Sequence, residues 1–272
     1  MSVIFRKGVL VHRSIISSCN LGGTMKRLLL GSIPIVALVS GVPAHAADLA
    51  PAPAYKAPVV APVQSYNWSG FYFGGNVGGE WENVNRSSSD ATTGATLGSG
   101  GWNPASVTGG LQAGFNWMAT PNVVLGLEAD VSYGKLTGSN SSTSGMVTYG
   151  DTIDWYGTAR GRIGYAFNNV LLYGTGGFAW ANDQASRTQN FGAINGAVAG
   201  TMESTTAIRT GWTAGGGLEY GFAPNWTARL EYLHMDFGTD TFSFPLSQRN
   251  LSLGSTVDLV RTGLSYKFDW GR

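Results

Sequence analysis

The sequence predicts an all-β fold: an eight-stranded antiparallel up-and-down transmembrane β-barrel with four long extracellular loops and short periplasmic turns. Three observations lead there. Charged residues make up 12% of the 272 positions, against about 25% in ordinary globular chains. Glycine occupies 40 positions and aromatics 12%, yet mean hydropathy is zero. Outward apolar and inward polar residues that alternate along a barrel wall cancel in this way. From Trp68 onward, runs of roughly ten residues with period-two alternation are separated by connections that are alternately long and short. The formal charge of +1 supplies none of the basic surplus that nucleic-acid binding requires.

In chain order, Met25-Lys26-Arg27 opens a basic region, residues 28–42 form an apolar run interrupted by Pro34, and Ala44-His45-Ala46 offers small residues for cleavage. This is a secretory signal peptide over 25–46, too short and too promptly followed by small residues to span a membrane as a helix. Residues 1–24 precede that complete signal and read as an over-extended start. They hold Cys19, the single cysteine, so the mature chain from Ala47-Asp48 needs no disulfide in an oxidising compartment. Residues 47–66 form a Pro/Ala-rich periplasmic linker, because proline fixes φ and removes backbone donors.

The barrel is expected over 67–268, followed by a tail at 269–272. Its eight runs are 69–81, 105–118, 122–134, 152–165, 170–181, 205–220, 226–237 and 256–268. Ala119-Thr120-Pro121-Asn122, Ala166-Phe167-Asn168-Asn169 and Gly221-Phe222-Ala223-Pro224-Asn225 supply the tight connections, with the residue types that turns demand. The other four connections are polar and rich in Ser, Thr and Gly. An even strand count places both barrel ends on the periplasmic side and the long loops outside.

Alternation sets the register. In the fourth run Ile153, Trp155, Ala159, Ile163 and Tyr165 share the outward face, opposite Asp154, Arg160 and Arg162. A one-residue slip would place both arginines in lipid at about 2–4 kcal/mol each.

Inward positions then carry six acids, Glu80, Glu128, Asp130, Asp154, Glu219 and Glu231, facing six bases, Arg160, Arg162, Arg209, Arg229, Arg261 and Lys267. Eight strands leave an interior that side chains fill, and unpaired buried ions are costly. The set therefore reads as a lumen ion-pair network. The alternative is a narrow solute path, but balanced charge is unlike a one-sign selectivity ring. Trp81, Trp102, Trp117, Trp155, Trp180, Trp212, Trp226, Tyr165, Tyr220, Tyr232 and Tyr266 read as interfacial girdles.

Little points to catalysis, and the chain reads as a non-enzyme. Gly174-Thr175-Gly176-Gly177-Phe178-Ala179 fits a nucleotide fingerprint only superficially, because no helix follows it. His234 is the one histidine of the mature chain. It lacks the serine two positions later that lipid A-deacylating barrels carry, and no cluster suggests a metal or other cofactor.

Asn67-Trp68-Ser69-Gly70-Phe71-Tyr72-Phe73-Gly74-Gly75-Asn76-Val77-Gly78-Gly79-Glu80-Trp81 resembles the opening strand of the outer-membrane immunogenic protein family, the "porin family" of alpha-class Gram-negative bacteria. The segments 211–220 (GWTAGGGLEY) and 226–233 (WTARLEYL) are similar too. The resemblance covers 47–268 and implies an OmpA-like barrel in the outer membrane, among lipid and lipopolysaccharide. The last strand, with Gly263, Tyr266 and Phe268, resembles the signal read by the barrel-assembly machinery, although four residues follow that phenylalanine. The Ala-Asp start resembles that of barrels joined to peptidoglycan, which implies attachment through Ala47.

The function expected is structural: envelope integrity and surface presentation. The alternatives are a low-conductance porin for small solutes and a surface binder of haem or host molecules through the loops.

Overall fold

The computed structural model describes residues 66–268. The expected signal peptide, most of the linker, Ala47 and the C-terminal tail lie outside the described residues. Eleven strands form: β1 (Gly70–Asp90), β2 (Thr96–Trp102), β3 (Ala105–Met118), β4 (Val123–Ser141), β5 (Val147–Phe167), β6 (Val170–Gln189), β7 (Ala193–Ile194), β8 (Ala197–Val198), β9 (Met202–Ala223), β10 (Trp226–Phe244) and β11 (Arg249–Phe268). Antiparallel pairing runs β1–β3–β4–β5–β6–β9–β10–β11 and returns from β11 to β1, from Phe71↔Phe268 to Asp90↔Arg249. β2 continues the β3 wall upward along β1. The two are interrupted at Pro104, which has no N–H to donate.

Outward side chains define a membrane band. On β1, Phe71, Phe73, Val77 and Trp81 are exposed, while Tyr72, Asn76 and Glu80 are buried inside. Ten residues separate Phe71 from Trp81; at about 3.3 Å per residue and a tilt of about 40° they climb about 25 Å, the height of a barrel's apolar belt. Phe115, Trp117, Tyr165, Tyr220, Trp226, Tyr266 and Phe268 mark the lower rim. Trp81, Tyr133, Trp155, Trp212 and Tyr232 mark the upper rim. Above it the outer face turns polar, with Asn83 and Asn85 following Trp81.

Two expectations are corrected. The four long connections are mostly strand, so irregular chain shrinks to 91–95, 142–146, 245–248 and the segments around the small β7–β8 hairpin. Strands of about 20 residues climb about 50 Å, so the wall extends well beyond the bilayer. Outside lipid the pattern inverts: polar residues face water and apolar residues face in. Second, a β-bulge shifts the β4–β5 and β5–β6 ladders at Asp154. An extra residue there reverses the facing of everything above it, so Ile153 points inward and is buried.

Candidate functional site

The lumen is filled in layers, and their order reads directly along β5 and β11. At the periplasmic mouth, Trp68 packs against Val124, Ala166, Leu171 and Tyr173, with Tyr66 and Met118 beside them. The Trp68 indole donates to the Asn168 carbonyl at 3.3 Å. The chain entering β1 thus crosses beneath the barrel. Lys267 donates to the Asn67 carbonyl and sits 4.8 Å from the Tyr66 ring.

Above this lies an ion-pair network of four acids and four arginines. Arg160 contacts Glu128, Asp130 at 2.9 Å and Glu231 at 3.0 Å. Arg261 meets Asp130 at 3.1 Å and Glu231 at 2.7 Å. Arg162 meets Glu219 at 2.7 Å, and Arg229 meets Glu128. Tyr72 donates to Glu128 at 2.6 Å and Tyr173 to Glu231 at 3.0 Å. Charge is balanced, which is what tolerates eight ions away from water.

An apolar layer follows: Leu136, Ile153, Tyr156, Leu233, Met235, Phe237, Val257 and Leu259. Over it lies a second polar chamber. Arg209 reaches Asp183 at 3.2 Å, Asp240 at 3.1 Å, and the Gly238 and Leu253 carbonyls. Glu82 accepts from Ser255, and Asp151 accepts from the Trp102 indole at 2.7 Å. Burial, reinforced by repulsion from Asp151 and Asp183, pushes the Glu82 carboxyl up to about 8. Burial and Asp183 push Asp151 up to about 7. Val84, Trp102, Val147, Tyr149, Phe242, Phe244, Leu251 and Leu253 then close the extracellular half. At the tip, β7–β8 turns at Asn195 (φ 48°) and Gly196 (φ 99°), left-handed positions that an Asn-Gly hairpin turn needs. Asn195 ties this hairpin to the Ser247 carbonyl, and Ala197 beneath it is fully buried.

The structure therefore brings together Glu128, Asp130, Arg160, Arg162, Glu219, Arg229, Glu231 and Arg261 of the twelve expected residues. Glu80 is in the lumen but accepts from Tyr156 at 2.7 Å, with no arginine on its carboxylate among the ion pairs of the described residues. Arg209 belongs to the upper chamber, and Lys267 to the lower mouth. Asp154 sits in the bulge, outside the network. One girdle assignment also changes: Trp102 is buried in the lumen. Trp180 stays on the outward face, in step with Phe178, half-buried with its ring lying over Gly157. Gly263 lies at an inward position, whereas Tyr266 and Phe268 are exposed on the lower rim.

Sequence reasoning missed Glu82, Asp151 and Asp183, all buried. Continuing the β1 alternation past Trp81 would have found Glu82. The bulge hid Asp151.

A family model described as "Outer membrane protein beta-barrel domain" matches residues 35–268. The 31 kDa outer-membrane immunogenic protein of Brucella melitensis is 35% identical over 252 residues, covering 90% of this chain and 100% of its own length. The 22 kDa outer membrane protein of Rhizobium leguminosarum is 32% identical over 210 residues, covering 76% and 82%. Among solved structures, outer membrane protein OprG of Pseudomonas aeruginosa aligns with 75% of this chain and 99% of its own, at TM-score 0.41 and 13% identity. With a membrane band on its wall, the family model matched over residues 35–268 and relatives above 30% identity, the chain belongs to the outer membrane β-barrel protein family, with the outer-membrane immunogenic proteins among its relatives, and resides in the outer membrane of a Gram-negative bacterium.

Proposed function

We propose that the protein is a structural, non-enzymatic barrel that stiffens the envelope and presents a folded extracellular wall. The observation that carries this reading is the filled lumen: two polar layers alternate with three apolar ones from Trp68 to Phe244. A solute path would have to break several buried ion pairs, each costly to lose. Planar-bilayer recording of the purified protein tests this. The expected result is no steady conductance above detergent controls; reproducible channels would favour the low-conductance porin instead.

Tethering through Ala47 completes the proposal. The Pro/Ala segment would reach about 3.1 Å per residue when extended, several tens of ångströms in all. Muramidase digestion followed by mass spectrometry should recover Ala47 joined to a muropeptide. Recovering only its free amine would end the tether while leaving the structural barrel intact.

A further inference from the structure

We infer that the chamber above the Leu136 layer is a proton-binding site, in which Glu82 holds a proton at neutral pH and Asp151 takes one up as pH falls through neutrality, so that the extracellular half of the barrel stays packed.

Charge separates this chamber from the network beneath it. Below, four carboxylates face four guanidiniums. In the chamber Glu82 comes from β1, Asp151 from β5, Asp183 from β6 and half-exposed Asp240 from β10, against Arg209 of β9. Four of the five N–H donors of Arg209 are committed to Asp183, Asp240 and two backbone carbonyls. Facing groups on the remaining strands are neutral: Ser255 on β11, Trp102 on β2, and Leu136 and Gly138 on β4. The charged neighbours above are already engaged: Arg86 is bonded to Asn140 and lies over Tyr149, and Arg187 is paired with Glu203 and bonded to Gln189. The one below, Glu80, is held by Tyr156.

Each of the three buried acids also has an oxygen with no hydrogen-bond partner: Glu82 Oε2, Asp151 Oδ2 and Asp183 Oδ1. All three residues are at most 2% exposed. A buried carboxylate oxygen left bare is expensive, whereas a protonated one is neutral. Asp151 stands opposite Ala185, which puts Asp183 at the diagonal position about 7–8 Å away on the same face. Ionising both there is opposed by repulsion as well as burial. A metal ion could neutralise such a cluster, but among the described residues no three His, Cys, Asp or Glu side chains converge to hold one. Protons remain as the ligand. With Glu82 and Asp151 neutral, Arg209 faces only Asp183 and the solvated Asp240.

Infrared spectroscopy of the full-length protein in detergent micelles, titrated from pH 5 to pH 10, tests the inference. A protonated-carboxyl C=O band should be present at neutral pH and vanish under alkaline conditions. Glu82→Gln and Asp151→Asn should each remove part of it, and together nearly all. Asp240→Asn should leave it in place. The isosteric double variant should also melt at a nearly pH-independent temperature, where the wild-type midpoint falls as pH rises. Absence of the band, its persistence in the double variant, or a calcium-dependent rise in melting temperature reversed by chelation would each overturn the proton assignment.

Discussion

Arg160 of β5 holds Glu231 of β10 across the lumen, Nη1 to Oε1 at 3.0 Å. Two strands, β6 and β9, separate these elements along the wall, so the pair braces the barrel from inside rather than extending a ladder. Arg160→Met leaves Glu128, Asp130 and Glu231 short of a cation. The expected loss is about 3–5 kcal/mol of unfolding free energy, read from urea midpoints of the protein folded into lipid vesicles. A loss below about 1 kcal/mol would mean that the network is a weak brace.

Asp154 provides the contrasting case. It lies in the bulge and enters no ion pair among the described residues. Asp154→Ala should change stability by no more than about 0.5 kcal/mol in the same assay. A cost like that of Arg160→Met would return it to the lumen set.

Trp68 seals the lower mouth, with 1% of its surface exposed. Trp68→Ala should cost about 3–5 kcal/mol through lost burial and the cavity it leaves. Since the ion-pair network still fills the barrel above it, this variant should not conduct in planar bilayers. Conductance would show that the aromatic stopper alone closes the path.

A Cβ at Gly138 would stand 1.9 Å from the Trp102 ring. Gly138→Ala should therefore displace that indole and break its bond to Asp151, reducing the near-ultraviolet circular dichroism of tryptophan. Far-ultraviolet signal should be retained, because the ladder is untouched. An unchanged aromatic spectrum would place the ring elsewhere.

Stability should fall as pH rises. Glu82 and Asp151 titrate well above the ordinary carboxylate range when folded, so between about pH 4 and pH 8 the folded chain binds more protons than the unfolded one. Their contribution is complete below the unfolded value and is lost as pH climbs through 7 and 8. Unfolding midpoints at pH 5, 7 and 9 should decrease in that order; an increase would reverse the sign and exclude net proton uptake by the chamber.

Most of the barrel within the membrane was legible because lipid enforces alternation strictly. Phe71, Phe73, Val77 and Trp81 face out since the other register would bury them among charges. That constraint weakens above the upper rim, where water accepts Ser, Thr, Gly and Asn on the outer face. Segments such as Ser87-Ser88-Ser89 therefore resembled loops, although Phe242 and Phe244, and Leu251 and Leu253, already marked alternate inward positions. The bulge at Asp154 was invisible for a different reason. Reading outward Trp155 downward through β5 fits one alternation, and reading upward requires its mirror, so one extra residue moved Ile153 into the lumen and hid Asp151. Trp102 misled because its type suits a membrane interface; its place was set by a partner 49 residues away and by bare backbone at Gly138.

The extension of the strands past the bilayer changes what the immune system can see. Antibodies raised against intact cells would meet every second side chain of several neighbouring strands at once, in an epitope assembled by pairing. Peptides copied from one stretch, such as residues 83–102, would display inward and outward residues together and compete poorly for such antibodies. Drift among surface variants should concentrate at outward polar positions such as Asn83, Asn85 and Ser87, while their inward neighbours hold the scaffold on which recognition depends.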